Sequence, residues 1–354
     1  MEKTAVHFGG GALGRGLVVP FLENAGYEVV VVDIDAALLE ALNQEHGYPL
    51  NVTDVPEKSR FIPVKEAVEF SASNESLRTY LKEAEVITTS VRKENLKYVV
   101  DVISQVFDEN DKKTILCAEN VEKAGTFFRS LLNKSSGKEF KNLIIPDTVV
   151  DRICASKWPE SLELLTEDFG EFGFEKTGNQ ESIGDIHAED DLERAFVRKR
   201  LLVNTYCDAS CFLGKSKGKK YLSEAVSDEE VQEELKPYFD TFQKILIDKY
   251  QYTKEEIETW TSLYKKRLSN PAIKRELETV ARGLWSKLSY QERFLLPIIQ
   301  LIEMGENIEA PLKALCHMIE SCSEEENISE KLKELWDVNP TGTQIYQQAE
   351  KFFQ

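Results

Sequence analysis

The sequence has no apolar run near the roughly 20 residues that a membrane-spanning helix needs. The first apolar strand pattern begins by Thr4, which leaves no room for a signal peptide, so a cytoplasmic protein is expected. Cysteine is dispersed: Cys117, Cys154, Cys207, Cys211, Cys316 and Cys322 form no C-x-x-C pair, which argues for reduced thiols rather than a disulfide framework. Histidine is scarcer still, four in 354 residues without clustered spacing, and no metal site is expected. Positive charge is in deficit. Lys and Arg number 44 against 62 Asp and Glu, a formal charge of −18, which argues against nucleic acid or an anionic membrane as partner. A small anionic substrate stays open, provided that a local cluster of Lys or Arg receives it. Hydrophobic content of 42% is ordinary for a globular chain, and the length suffices for two domains.

The most specific stretch lies near the start. An apolar run over 5–8 leads into glycines spaced G-x-G-x-x-G (Gly9, Gly11, Gly14) and then into the apolar run 17–22. One glycine permits a tight strand-to-helix turn, a second lets backbone approach a pyrophosphate, and a third lets helix and strand lie close. Phosphates would rest on free amides at the helix N-terminus, where the macrodipole favours negative charge. A second β-branched strand, 28–32, ends in Asp33, where a dinucleotide fold places the carboxylate that holds the adenosine ribose. A carboxylate there repels a 2′-phosphate, which favours NAD over NADP. Ligands of open α/β sheets sit outside the carboxyl ends of the strands. The candidate cofactor residues are therefore Gly9, Gly11, Ala12, Leu13, Gly14, Arg15, Asp33 and Thr89.

Through about residue 155, strand and helix patterns alternate. Helices are expected over 36–45, 75–81 with Asn74 as cap, 96–106 and 124–132. Strands are expected over 86–91, 114–118 and 143–146, with a shorter pattern around 48–52 and with 61–64 and 67–70 as an insertion or hairpin. The alternation predicts an α/β, Rossmann-type, doubly wound and mostly parallel sheet. Segments 162–165 and 172–175 suggest a few antiparallel strands. From about residue 190 a largely α-helical C-terminal part follows, with helices over 255–267, 271–287, 292–304, 311–320 and 328–336. Val231, Leu235, Phe239, Phe242 and Leu246 recur there at helical spacing, and 214–220 reads as a loop. The expected domains are a dinucleotide-binding domain over 1–189 and a helical substrate or catalytic domain over 190–354.

Within the second half, 199–208 opens a long apolar helix that contains a lysine and an asparagine. Both are costly to bury without partners. A desolvated Lys199 would have a lowered pKa and serve as a general base. The Asn204 amide would donate to a carbonyl or alkoxide oxygen. The competing reading takes Arg198-Lys199-Arg200 as a solvated helix start.

His7-Phe8-Gly9-Gly10-Gly11-Ala12-Leu13-Gly14-Arg15-Gly16 resembles the opening of the mannitol-1-phosphate 5-dehydrogenases and their relatives, the polyol-specific long-chain dehydrogenases. Four later segments are similar in the same order: Cys117-Ala118-Glu119-Asn120, Val149-Val150-Asp151-Arg152-Ile153, 199–204 with Leu213-Gly214, and Arg267-Leu268-Ser269-Asn270-Pro271. The resemblance implies oxidation of a secondary alcohol of a sugar alcohol to a ketone, with a nicotinamide acceptor and without metal. It implies Lys199 as base, with Asn204 and Asn120 stabilising the alkoxide. The family's histidine falls on Cys207, and its arginine and lysine fall on Thr279 and Lys287. The strand that usually ends Thr-Thr-x-Val-Gly-Pro ends here Thr88-Thr89-Ser90-Val91-Arg92-Lys93, so Arg92 and Lys93 add positive charge. The expected substrate-binding set is Asp151, Cys207, Lys287 and Arg92.

The sequence thus predicts an NAD-dependent oxidoreductase for a polyol phosphate or related sugar acid, as a monomer or homodimer. The alternative is a non-catalytic dinucleotide- or sugar-phosphate-binding sensor, favoured by Cys207 and Thr279.

Overall fold

The computed structural model describes residues 3–353, which form two compact units divided between Ala195 and Phe196. The strands of the first unit are, in chain order, β1 (Lys3–Phe8), β2 (Tyr27–Asp33), β3 (Gly47–Val52), β4 (Arg60–Pro63), β5 (Glu66–Glu69), β6 (Val86–Thr89), β7 (Thr114–Cys117), β8 (Thr148–Asp151), β9 (Cys154–Ser156), β10 (Leu164–Thr166), β11 (Glu171–Glu175) and β12 (His187–Glu189). Its helices are α1 (Val19–Asn24), α2 (Ala36–Glu45), α3 (Glu75–Glu83), α4 (Leu96–Val106) and α5 (Ala124–Ser136).

Five strands make one parallel sheet in the order β5-β2-β1-β6-β7. Its strands read as near-continuous apolar runs because both faces are covered. Ala5, Val29 and Val31 lie with Leu17, Leu22 and Leu38 on one face. Val6, Phe8, Val30 and Val32 lie with Leu77, Leu81, Val100 and Ile103 on the other. Each such side chain, fully buried, contributes about 1.5–3 kcal/mol. The register sets Phe8 beside both Val32 and Thr89, so the residues after three strands emerge together at one sheet end. Asp35 and Asn74 cap α2 and α3 through their side chains.

Several local expectations are corrected. Segments 61–64 and 67–70 do not form a hairpin: β4 pairs antiparallel with β3, whereas β5 joins the main sheet parallel to β2. Segment 143–146 supplies only an isolated bridge, Ile144 to Thr114, next to a proline that has no amide to continue a ladder. The strand expected over 86–91 stops at Thr89, where the chain turns toward Arg92 at φ 73°. The late strands are mixed rather than antiparallel, since β10 runs parallel to β3 and β11 parallel to β12.

The second unit begins within a single helix that runs through α6 (Leu192–Lys199), a π-helical turn (Arg200–Thr205) and α7 (Tyr206–Ser216). Around it lie α8 (Leu222–Ser227), α9 (Glu229–Asp248), α10 (Lys254–Leu268), α11 (Leu277–Val280), α12 (Leu284–Lys287), α13 (Leu296–Glu303), α14 (Glu309–Cys322), α15 (Ile328–Trp336) and α16 (Pro340–Ala349). Every residue from Cys207 to Gly214 is buried, which makes α7 the central helix of this unit. The helix expected over 271–287 is broken into α11 and α12, with Gly283 left-handed at φ 67° between them. On α9 Tyr238 is buried with Phe242, whereas Phe239 is half-buried and faces Tyr206. No helix among the described residues is long and apolar enough to cross a membrane.

Candidate functional site

The glycine loop is shaped by its own close contacts. Gly9 has φ 110°, and a Cβ there would lie 2.6 Å from the Ser90 carbonyl oxygen. A Cβ on Gly14 would lie 2.1 Å from the Gly9 carbonyl and 2.3 Å from His7 Nε2. Gly11 differs: apart from its chain neighbours, none of the described residues comes within 4 Å of the position a Cβ would take. Helix begins at Ala12, and the Arg15 amide donates to the Gly11 carbonyl at 3.1 Å. Helical geometry leaves the amides of Ala12, Leu13 and Gly14 without a partner inside the helix.

Asp33 ties this loop to the end of β2. Its Oδ2 accepts from the Gly10 amide at 2.5 Å, and its Oδ1 accepts from the Ile34 and Asp35 amides at 2.7 and 3.0 Å. Beneath the loop, His7 Nδ1 lies 2.7 Å from Thr88 Oγ1 and Nε2 lies 3.1 Å from Ser90 Oγ. The Ser90 hydroxyl donates to the Gly9 carbonyl at 3.3 Å, so its oxygen is left to accept from His7 Nε2. Complete burial lowers the His7 pKa to about 4, which keeps the ring neutral at pH 7.

The β6 end is held by a buried carboxylate. Glu119 accepts from Thr89 Oγ1 at 2.8 Å and from the Val91 and Arg92 amides, both at 2.9 Å. Burial raises its pKa against those donors. The clamp fixes the strained turn that carries Arg92. A groove of about 590 Å³ results, lined by Gly9, Gly11, Asp33, Ser90 and Arg92, with Ile34 and Tyr98 as apolar walls. Those two are 80% and 50% exposed, unusual for large apolar side chains.

In the second unit the π-helical turn spans 200–205. In an α-helix two residues five apart project about 140° from each other. A turn closed from i to i+5 brings such positions toward one side, and π turns occur frequently at functional sites. Lys199 and Asn204 have this spacing. Arg198 and Lys199 are each 6% exposed, so the segment is not a solvated helix start; Arg198 donates to the Tyr264 hydroxyl and stacks over Trp260. Three residues beyond Asn204, Cys207 is buried. Donation from the Cys211 thiol pulls the Cys207 thiol below its ordinary pKa, and the charges of Arg275 and Lys287 add to this against burial. Asp208 bridges Lys287 (Oδ1 to Nζ, 3.1 Å) and Arg293 (Oδ2 to Nη1, 2.6 Å).

Two independent family profiles match this chain: that of the mannitol dehydrogenase Rossmann domain over residues 3–186, and that of the mannitol dehydrogenase C-terminal domain over residues 191–351. The chain belongs to the mannitol dehydrogenase family. The mannitol-1-phosphate 5-dehydrogenase of Alternaria alternata is 30% identical over 329 residues, 89% of this chain and 84% of that protein. The enzyme of the same name from Aspergillus fumigatus is 30% identical over 342 residues, 93% and 87% of the two chains. Among solved structures, substrate-free D-sorbitol dehydrogenase superposes with a TM-score of 0.79 over 99% of this chain and 92% of its own, at 18% identity. Pseudomonas fluorescens mannitol 2-dehydrogenase, in a ternary complex with NAD and D-mannitol, gives 0.73 over 100% and 91%, at 15% identity. At those identities the structural likeness speaks to the fold.

The expected site residues of this mannitol dehydrogenase family member fall as follows. Gly9, Gly11, Asp33 and Arg92, the last expected among the substrate contacts, line one groove. Ala12 and Leu13 are half-buried at the helix start, and Gly14 is buried beneath the loop. Two of the expected cofactor residues have side chains engaged within the protein. The Arg15 side chain is 1% exposed, and its guanidinium donates to the Gly10 and Leu162 carbonyls and to Ser156 Oγ. The Thr89 hydroxyl is buried against Glu119. Asn120 is exposed beyond β7, and Asp151 is buried at the end of β8. Lys199, Asn204 and Cys207 lie along one helix, and Lys287 reaches that helix through Asp208. Thr279 is exposed, its hydroxyl bonded to the Glu276 carbonyl. The sequence does not single out His7, Asp208 or Arg293 as site residues, and Glu119 enters only within the segment Cys117-Ala118-Glu119-Asn120.

The His7 environment predicts a pH dependence of stability. An unfolded histidine takes up its proton near pH 6.5, whereas the folded protein holds His7 neutral to about pH 4. The stabilisation is therefore fully present above pH 6.5 and falls as the pH drops toward 4. Between pH 7 and pH 4 the wild-type unfolding free energy should fall by about 3 kcal/mol more than that of His7→Gln. Urea titrations of both proteins at each pH measure this, and parallel curves would contradict it.

Proposed function

We propose that this member of the mannitol dehydrogenase family is a cytoplasmic, NAD-dependent polyol phosphate dehydrogenase. It interconverts a mannitol-1-phosphate-like polyol phosphate, or a related sugar acid, and its ketose. The observation that carries the cofactor reading is Gly11. Gly9 and Gly14 are demanded by contacts within the protein, but Gly11 is not. Its demand comes from outside, as it would where backbone approaches a pyrophosphate. The surroundings fit a dinucleotide: first-turn amides for the phosphates, Asp33 for the ribose, and Ile34 and Tyr98 as apolar walls for a base. A carboxylate offers about four lone-pair sites, and Asp33 spends three on its own backbone. One remains for a ribose hydroxyl. The ~30% identity to mannitol-1-phosphate 5-dehydrogenases over most of the chain supports the phosphate ester as substrate.

When bound, NAD supplies the acceptor for the electron pair of the alcohol C–H bond. Lys199, buried on the central helix of the second unit, takes the hydroxyl proton. Asn204 and Asn120 keep the alkoxide-stabilising roles that the family resemblance implies for them. These roles need no metal. The competing reading, a non-catalytic dinucleotide-binding sensor, draws on Cys207, whose buried thiol replaces the imidazole that the family resemblance implies.

Three outcomes are expected. Gly11→Ala should leave unfolding stability within about 1 kcal/mol yet weaken NADH binding about tenfold or more by calorimetry; unchanged affinity would remove the pyrophosphate from this loop. The wild-type protein should bind NADH more tightly than NADPH, and Asp33→Ala should narrow the gap. Equal affinities in the wild type would overturn the role of Asp33. Lys199→Ala should lower turnover by about a hundred- to ten-thousandfold with NADH affinity kept. A wild-type protein that binds NADH but turns over no polyol, ketose phosphate or hexonate would favour the sensor.

A further inference from the structure

The second unit contains a cluster of cations that the proposed chemistry at Lys199 does not use. Lys287 and Arg293 both grip Asp208, at 3.1 and 2.6 Å, and Arg275 lies close enough for its charge to bear on Cys207. Two cations thus share one carboxylate, an excess of one positive charge in a chain whose net charge is −18, with the charge of Arg275 felt at the neighbouring Cys207. An ion-pair network built for the fold alone needs no such excess. A local cluster of Lys or Arg is what an anionic substrate would need in so acidic a protein.

The cations differ in what they have left to give. Lys287 Nζ also donates to the Val280 carbonyl at 3.4 Å and lies over the Phe212 ring, so it is largely committed. Arg293 is pinned at two points but not exhausted. Its carbonyl accepts from Thr205 Oγ1 at 3.3 Å, which fixes its backbone against the π-helical turn. Its Nη1 binds Asp208, while the planar fork carries five N–H donors in all. The side chain keeps 28% exposure, and the guanidinium geometry suits two oxygens of a phosphate at once. Asp208 lies one turn along the central helix from Asn204, about 6 Å of axial rise. That offset suits a sugar chain whose ester sits several bonds from its carbinol. Thr279, where the family resemblance places an arginine, cannot supply the charge.

We propose that Arg293, braced by Asp208 and backed by Lys287, binds the phosphate of the substrate and sets the preference for the ester over the free sugar. The assignment rests on the polyol phosphate reading and on Lys199 and Asn204 marking the reacting end. Asp208 is a positioning residue: it neutralises part of the cluster and aims the Arg293 fork.

The test compares kcat/KM for fructose 6-phosphate and for fructose, with NADH, in the wild type, Arg293→Met and Arg293→Lys. The ratio of the two values should be high in the wild type and fall about ten- to a hundredfold in Arg293→Met, the worth of a charge-assisted contact. Arg293→Lys should restore part of it. Inorganic phosphate should compete with fructose 6-phosphate in the wild type and lose potency in Arg293→Met. A wild type that does not prefer the ester sinks the phosphate reading itself. A wild type that prefers it, with the ratio kept in both variants, overturns the Arg293 assignment alone. If Arg293→Met does not fold, an unchanged ratio and unchanged phosphate competition in Arg293→Lys overturn the assignment, and a reduced ratio with weakened competition supports it.

Discussion

One close crossing governs the first unit. The chain leaving β1 passes the end of β6 with no room for a Cβ at Gly9 or Gly14, and the contacts at that crossing are Ser90 and His7. The neutral His7 ring joins Thr88 and Ser90 of the neighbouring strand end to the underside of the loop. From above, Asp33 draws in the Gly10 amide. The loop is therefore held by three adjacent strand ends before any ligand arrives, which lowers the ordering cost of binding. Gly11 stands outside this tightness and faces open space. The first helix continues from the loop through a second π-helical turn, Gly14–Val18, with Arg15 folded inward as an internal brace.

A different constraint shapes the second unit. Its central helix is buried on all sides through α7 yet carries Lys199, Asn204 and Asp208, groups that burial penalises. Asp208 is compensated by two cations, and loss of either would leave a buried charge less well paired. The wider turn at 200–205 lies between Lys199 and Asn204, and a turn closed from i to i+5 draws residues five apart toward one side. The irregular backbone that breaks 271–287 serves the same cluster, since Arg275 and Lys287 come from it and Arg293 follows shortly after.

Features set by short-range chemistry were legible in the sequence. The glycine spacing, Asp33 at a strand end, and helices such as Ala36–Glu45, Leu96–Val106 and Ile328–Trp336 follow from local patterns and caps. The parallel sheet followed from alternation. Features that depend on distant pairs were not. Glu119 matters because β6 and β7 are neighbours, and its partners lie about thirty residues earlier. Arg293 meets Asp208 across 85 positions. The π-helical turn leaves no trace, because one added residue in a short apolar run does not disturb the pattern. The inward fold of the Arg15 side chain was hidden for a related reason: its acceptors, Leu162 and Ser156, come from far along the chain.

The central claim is that residues of this chain direct electron transfer between a nicotinamide and a sugar carbinol. It is tested most directly by isotope. The protein is incubated with fructose 6-phosphate and NADH deuterated at the transferable C4 position, and the product is read by mass spectrometry and NMR. The account predicts a polyol phosphate with one deuterium on the carbon that was the ketone. NADH that binds stoichiometrically but passes no label to any ketose, ketose phosphate or keto acid would contradict it.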